Sequence, residues 1–407
     1  MGDTGDPGAS GAMRFRFAVL LALATSWALA MSSASAQPAK VLRYAFPIAE
    51  TSFDPAQITD LYSRTVVSSI FEAPLEFEFL ASPARHYDPR WKSGNLYLLE
   101  NDGIVGLSQL RRDAIDSRRP FDYDREVEGL RTLDRYTFQV RLAEPKPRFL
   151  YHFTDPSFTG ALAREVVEHY GDKVGEHPVG TGPFRLAQWR RSSLIVLERN
   201  PDFRDVRYDE QPGDDKARLA AIAREFAGRR LPMIDRVEVA IIEEPQPRWL
   251  SFLNEEQDLQ EQVPAEFAHI ALPNNQLAPN LAKRDITMVR YARADVALSY
   301  FAMEHPLVGG YEPHKVALRR AIALAVDIDR EIRLVRRGQA IPAQSPIAPG
   351  TWGYDPEFKS EMSEYNVARA KALLDLYGWV DRDGDGWREQ PDGSPLTLEV
   401  ATQPDQL

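Results

Sequence analysis

Apolar residues recur along the chain with two spacings. Alternation of period two marks strands. It runs through Leu42, Tyr44 and Phe46, and again through Tyr136, Phe138, Val140 and Leu142. Two short apolar runs, 184–189 and 194–197, are separated by Arg190-Arg191-Ser192-Ser193, which predicts a hairpin. Asn200-Pro201 stops its second strand, because proline cannot donate to a ladder. Residues 234–242, 298–304 and 396–400 predict three more strands. Spacings of three and four mark helices. After Asp60, a plausible N-cap, Val66, Val67, Ile70 and Phe71 fall on one side. Residues 162–170 make a short helix ended at Gly171, and 215–226 an amphipathic one through Leu219, Ile222 and Phe226. Leu318, Ala321, Ala325, Ile328, Ile332 and Val335 trace one face, with a break at Asp327 or Asp329, either of which can cap a second piece. Arg333, Arg336 and Arg337 suit its C-terminal end, with Gly338 just beyond. Asn366 caps a last helix through Ala370, Leu373, Leu374 and Tyr377, closed by Gly378. Mixed strands and helices predict an α/β protein.

The chain has 407 residues, 43% hydrophobic and 27% charged, which suits a soluble globular protein of two or more domains. The first 36 residues read as a cleavable signal peptide. Arg14 and Arg16 form a positive region, residues 17–30 an apolar core, and Ala34-Ser35-Ala36 a cleavage site. Met13 reads as the natural start, with residues 1–12 an upstream extension. The segment loses Asp3 and Asp6 together with the two arginines, so the mature charge stays at −11. That charge argues against nucleic acid or an anionic membrane surface as a partner. Cysteine is absent, which excludes disulfides, thiolate metal sites, cysteine nucleophiles and lipid attachment at an N-terminal cysteine. The expected location is periplasmic.

Pro178-Val179-Gly180-Thr181-Gly182-Pro183-Phe184 opens the predicted hairpin as a rigid, sharply turned entry. It is not a phosphate-binding loop, since the Gly-x4-Gly-Lys-Ser/Thr pattern is missing. The whole string resembles the signature hairpin of the family 5 solute-binding proteins of ABC importers. Three further stretches carry the resemblance. They are the Ser52-Phe53-Asp54-Pro55 turn with Ile70-Phe71-Glu72-Ala73-Pro74-Leu75, the 316–327 helix, and the Asp/Gly turn at 381–393. The resemblance implies a fold of the class II periplasmic-binding type, two α/β lobes with a hinge and a cleft. Residues 37–75 and 178–290 would form the core of lobe I, 76–177 its accessory subdomain, and 291–407 an incomplete lobe II. The chain would lack about a hundred C-terminal residues or more. Residues 249–259 fall where the family has a helix and a Gly-x-x-Asp turn, but the glycine is missing.

The resemblance implies capture of a short peptide or peptide-like solute, delivery to inner-membrane permease subunits, a monomer, no cofactor and no catalysis. It places Phe46, Glu50, Thr51, Ser52 and Phe53 at the ligand cleft, joined by Tyr300, Phe301 and Met303. Glu50 would pair with a cationic amine. Read from the residues alone, Phe46, Phe53 and Met303 are core and Glu50 is a solvated loop charge. Nickel complexes, haem and sugars remain alternative solutes, and a sensor that docks on a receptor an alternative role. A secreted hydrolase is a minor reading, since neither G-x-S-x-G nor H-E-x-x-H occurs. Asp381, Asp383 and Asp385, with Asp392 at position twelve, have calcium-loop spacing. The following turn and strand favour a plain Asp/Gly turn, so no metal site is assigned.

Overall fold

The structure is a computed structural model that describes residues 39–72, 81–134, 137–210 and 217–401. The expected signal peptide lies outside the described residues, as do Tyr136 and the 73–75 part of the segment after the first helix. The chain divides into two compact units, Met1–Gln260 and Glu261–Leu407.

The first unit is built on a four-stranded sheet. Its strands are β1 (Val41–Phe46), β4 (Phe184–Arg190), β5 (Leu194–Arg199) and β6 (Arg236–Ile241), in the order β1-β6-β5-β4. β1 runs parallel to β6, and the β4–β5 hairpin is antiparallel. Ile195, Val196 and Leu197 of the interior strand β5 are all buried, so that strand reads as an unbroken apolar run. In β4 the register shifts between Leu186 and Gln188. The bulge moves the partly buried positions from Phe184 and Leu186 to Trp189, a step of three that simple alternation does not anticipate.

Helix α1 (Leu61–Ile70) packs on this sheet. Asp60 accepts from the Ser63 amide at 2.7 Å, and Val66, Val67 and Ile70 are buried, as the sequence predicts. Phe46, Phe53, Ile58, Phe71, Leu162, Val174 and Val239 complete the core. The two glycines of the hairpin entry are explained by close approach. Gly182 donates its N–H to the Ile70 carbonyl at 2.8 Å. A Cβ on Gly182 would lie 2.6 Å from that carbonyl's carbon and oxygen, and one on Gly180 would strike the same oxygen and the Phe71 ring. Gly182→Ala is therefore expected to cost about 1–3 kcal/mol, because the obstacle is backbone and cannot rotate away. Urea unfolding checks this, and an unchanged midpoint would refute it.

A second cluster of the first unit lies between Ala84 and Phe158. Its elements are α2 (Ala81–Tyr87), α3 (Leu96–Asp102), α4 (Leu107–Ser117), the β2–β3 hairpin (Leu130–Asp134, Thr137–Val140) and α5 (Pro156–Thr159). α6 (Arg164–Tyr170) follows and ends at Gly171. α7 (Ala217–Phe226) precedes β6, and α8 (Pro245–Leu253) follows it. Beyond α8, Glu255 takes the left-handed φ of +65° at the place expected to hold a glycine. Three residues on, Asp258 accepts from the Arg43 guanidinium at 2.7 and 3.2 Å and from the Arg43 amide at 2.6 Å. Burial opposes ionisation of Asp258, yet these bonds hold its carboxyl below the usual range.

In the second unit the helices are α9 (Ala265–Ala271), α10 (Pro279–Ala282), α11 (Pro313–Ala325), α12 (Ile328–Leu334) and α13 (Val367–Leu376). The break falls at Asp327, whose side chain accepts from the Arg330 amide at 2.9 Å. Because the axis is interrupted there, the predicted single face does not persist. Ala317, Leu318, Ala321 and Leu324 are buried, while Ala325 and Val335 are exposed. Asn366 caps α13 through the Arg369 amide at 3.0 Å. The strands expected at 298–304 and 396–400 do not form. Their pattern is right, but no strand lies alongside either one among the described residues. A strand exists only where its backbone finds a ladder.

Candidate functional site

The end of β1 and the loop leaving it carry five of the eight candidates. That loop is fixed from beneath by a buried ion pair. Asp54 accepts from both ends of the Arg85 guanidinium at 2.6 and 2.9 Å, with side-chain exposures of 0% and 3%. Arg85 in turn stacks on Trp91, its guanidinium carbon 4.6 Å from the ring centroid. His86, next along α2, is also buried. Desolvation first, and the Arg85 charge after it, push its imidazole down to about 4, so it is neutral. The Phe158 carbonyl can only accept, so Nε2 donates to it at 2.7 Å and Nδ1 accepts from the Ser93 hydroxyl at 2.6 Å.

On this base the candidates fall into two groups. Phe46 and Phe53 are core side chains, packed on Tyr62 and Trp189 at centroid distances of 4.9 and 4.6 Å. Glu50 is buried too, at 4% exposure, which corrects its reading as a solvated loop charge. Its Oε1 accepts from Trp189 Nε1 and from the Ser192 amide at 3.0 Å, while its Oε2 has no partner among the described residues. Thr51 is exposed. Its hydroxyl donates to Asp60 at 2.6 Å, and its carbonyl accepts from Arg191 at 3.0 Å. The Ser52 hydroxyl accepts from the Asp54 amide at 3.2 Å. In the second unit, Tyr300 is 85% exposed, Met303 is exposed and Phe301 is half-buried.

The sequence reading missed Trp189, Arg191 and Arg85 as neighbours of this loop. Glu50 and Trp189 are 139 residues apart, and no local pattern joins them. The one signal was the Arg190-Arg191 pair at a hairpin turn, which also fits a solvated tip.

In the second unit the carboxylates of Asp381, Asp383, Asp385 and Glu389 come within 4.8 Å of one another and are mostly exposed. Asp392 is outside this group and caps Ser394 at 2.9 and 2.7 Å. The aspartates are occupied with the turn. Asp381 accepts from the Gly384 and Gly386 amides at 2.7 and 2.9 Å, and Asp383 and Asp385 from the amides two residues on. Gly384 and Gly386 take the left-handed φ of +79° and +94° that such a turn requires. No helix among the described residues is long and apolar enough to cross a membrane.

Comparison with known proteins gives a consistent set. The family model described as "Bacterial extracellular solute-binding proteins, family 5 Middle" matches residues 78–406. The probable ABC transporter periplasmic-binding protein SapA of Escherichia coli is 26% identical over 278 residues, 65% of this chain and 43% of that protein. The glutathione-binding protein GsiB of Pectobacterium atrosepticum is 22% identical over 350 residues, 81% and 59% of the two chains. Among solved structures, the murein tripeptide-binding protein MppA of Escherichia coli aligns with a TM-score of 0.58 at 17% identity, over 88% of this chain and 68% of that one. The chain thus spans about half the length of the two curated relatives.

Proposed function

The chain belongs to family 5 of the bacterial extracellular solute-binding proteins, and from that premise we propose that it captures a short peptide or peptide-like solute in the periplasm for the permease of an ABC importer. The match over residues 78–406 carries this reading, and relatives named for binding glutathione and murein tripeptide support the solute class. Export through the cleavable N-terminal segment, action as a monomer and the absence of catalysis belong to the same proposal. The mechanism needs only differential affinity. A solute that touches both lobes stabilises a closed state over an open one.

In the first lobe the ligand-facing residues are Thr51 and Ser52, which offer hydroxyls, and Glu50, whose Oε2 is an acceptor without a partner among the described residues. Phe46 and Phe53 back the loop from the core. Tyr300, Phe301 and Met303 supply apolar surface from the second lobe. An unpartnered buried carboxylate oxygen is costly, and a ligand ammonium would relieve that cost.

Thermal-shift screening against short peptides, sugars, nickel complexes and haem tests the proposal. A bound peptide at about a hundred times its Kd adds about 2.7 kcal/mol of stability. Glu50→Ala is expected to weaken a ligand with a free amine more than its acetylated form. A shift with another solute class and none with any peptide would overturn the assignment.

A further inference from the structure

Among the described residues the strand β4 is paired on one side only, and a cavity of about 460 Å³ opens beside it. Glu176, His177, Leu186, Gln188, Trp189 and Arg191 line it, all in the first unit. The volume is within the range of small-molecule sites.

Two opposite charges stand on its wall. Arg191 Nη2 lies 4.0 Å from Glu176 Oε1, beyond hydrogen-bond reach, and both side chains are about half exposed. Such a pair has little to lose on opening. The guanidinium is nonetheless held in place. Its Nη1 donates to the Thr51 carbonyl at 3.0 Å, and its carbon sits 4.5 Å from the Trp189 ring centroid. Trp189 is itself fixed, with its N–H spent on Glu50 and its ring against Phe53. The indole therefore offers the cavity only apolar surface, continued by Leu186. His177, which also lines the cavity, is stacked on Tyr170 at 3.9 Å.

A lone carboxylate entering here would meet Arg191 but be repelled by Glu176, and a lone ammonium the reverse. A molecule carrying both groups close together satisfies both walls at once. We propose that the Arg191–Glu176 cavity beside β4 is a binding site for a zwitterionic α-amino acid with an apolar side chain, its carboxylate on Arg191, its ammonium on Glu176 and its side chain on Trp189 and Leu186. The Gln188 amide and the side of β4 left unpaired among the described residues supply further hydrogen-bonding groups. The site needs no residue of the second unit, and it does not rest on the proposed peptide capture.

The test is titration of the full chain with L-leucine, read by tryptophan fluorescence, with N-acetyl-L-leucine and L-leucinamide alongside. The expected result is saturable binding of leucine, with each blocked analogue weaker by about tenfold or more, the loss of one charge-assisted contact. Arg191→Gln and Glu176→Gln should each weaken leucine similarly. No saturable response to leucine, or equal binding of leucine and both blocked analogues, would overturn the site. The analogues decide the matter even if a variant folds poorly. A short-peptide titration in parallel separates the two proposals: leucine bound with no peptide bound removes the peptide reading alone, and peptide bound with no leucine response removes this one.

Discussion

Asp54→Ala is expected to lower the stability of the first unit by about 3–5 kcal/mol, the cost of stranding a buried charge. Asp54 and Arg85 are almost wholly enclosed, and among the described residues each is ion-paired with the other. Remove the carboxylate, and a guanidinium whose Nε already lacks a hydrogen-bond partner among the described residues is left buried without its counter-charge. The same aspartate accepts from the Ala56 amide at 3.1 Å, so the loop loses a backbone anchor as well. The pair by itself need not be a large net stabiliser, since an apolar replacement of both partners can be neutral. The paired variant Asp54→Leu with Arg85→Met should therefore recover much of the loss. Chemical denaturation of the three variants checks both statements. A single-variant loss below about 1 kcal/mol, the level of an exposed pair, would mean that the site is wet. Because this loop carries the proposed ligand residues Glu50, Thr51 and Ser52, the single variant should also weaken binding of the proposed solute.

Trp379→Ala should destabilise the second unit by about 3–5 kcal/mol, the usual range for a buried large aromatic. Trp379 is 1% exposed, and its Nε1 donates to the His314 carbonyl at 3.0 Å. One cluster of this unit is Ala321, Leu324 and Ala370, with Leu373 and Leu374 packed against them, and Ala317, Leu318 and Leu281 are buried as well. Trp379→Phe keeps most of the ring volume and loses the hydrogen bond, so its cost should be clearly smaller. If the two substitutions cost the same, the hydrogen bond and not the packing dominates.

Local features were legible in the sequence. Asp60, Asp327 and Asn366 cap helices because a cap concerns only a few consecutive residues. The β4–β5 hairpin was legible for the same reason, as was the family, since its motifs keep their order along the chain. Long-range features were not. The bulge in β4 depends on how Leu186 and Gln188 meet β5. The alternation at 298–304 describes a surface suited to a strand and says nothing about a neighbour. Glu255 adopts a left-handed turn that its identity argues against, with Arg43 bonding its carbonyl at 3.1 Å. In the candidate site the resemblance named the loop, but the burial of Glu50 follows from a tryptophan on a strand far along the chain. The fold sets which side of that carboxylate is spent.

The parallel pairing of β1 with β6 joins Val41 to Arg236, almost two hundred residues along the chain. The hairpin between them closes over three residues, 191–193. Loop-closure entropy separates these events in time: the hairpin can nucleate early, and β1 can take its place only after β6 exists. Pulsed hydrogen exchange during refolding should find β4 and β5 protected before β1. In a chain made from its N-terminus, this order of assembly keeps β1 out of the sheet until β6 has been synthesised.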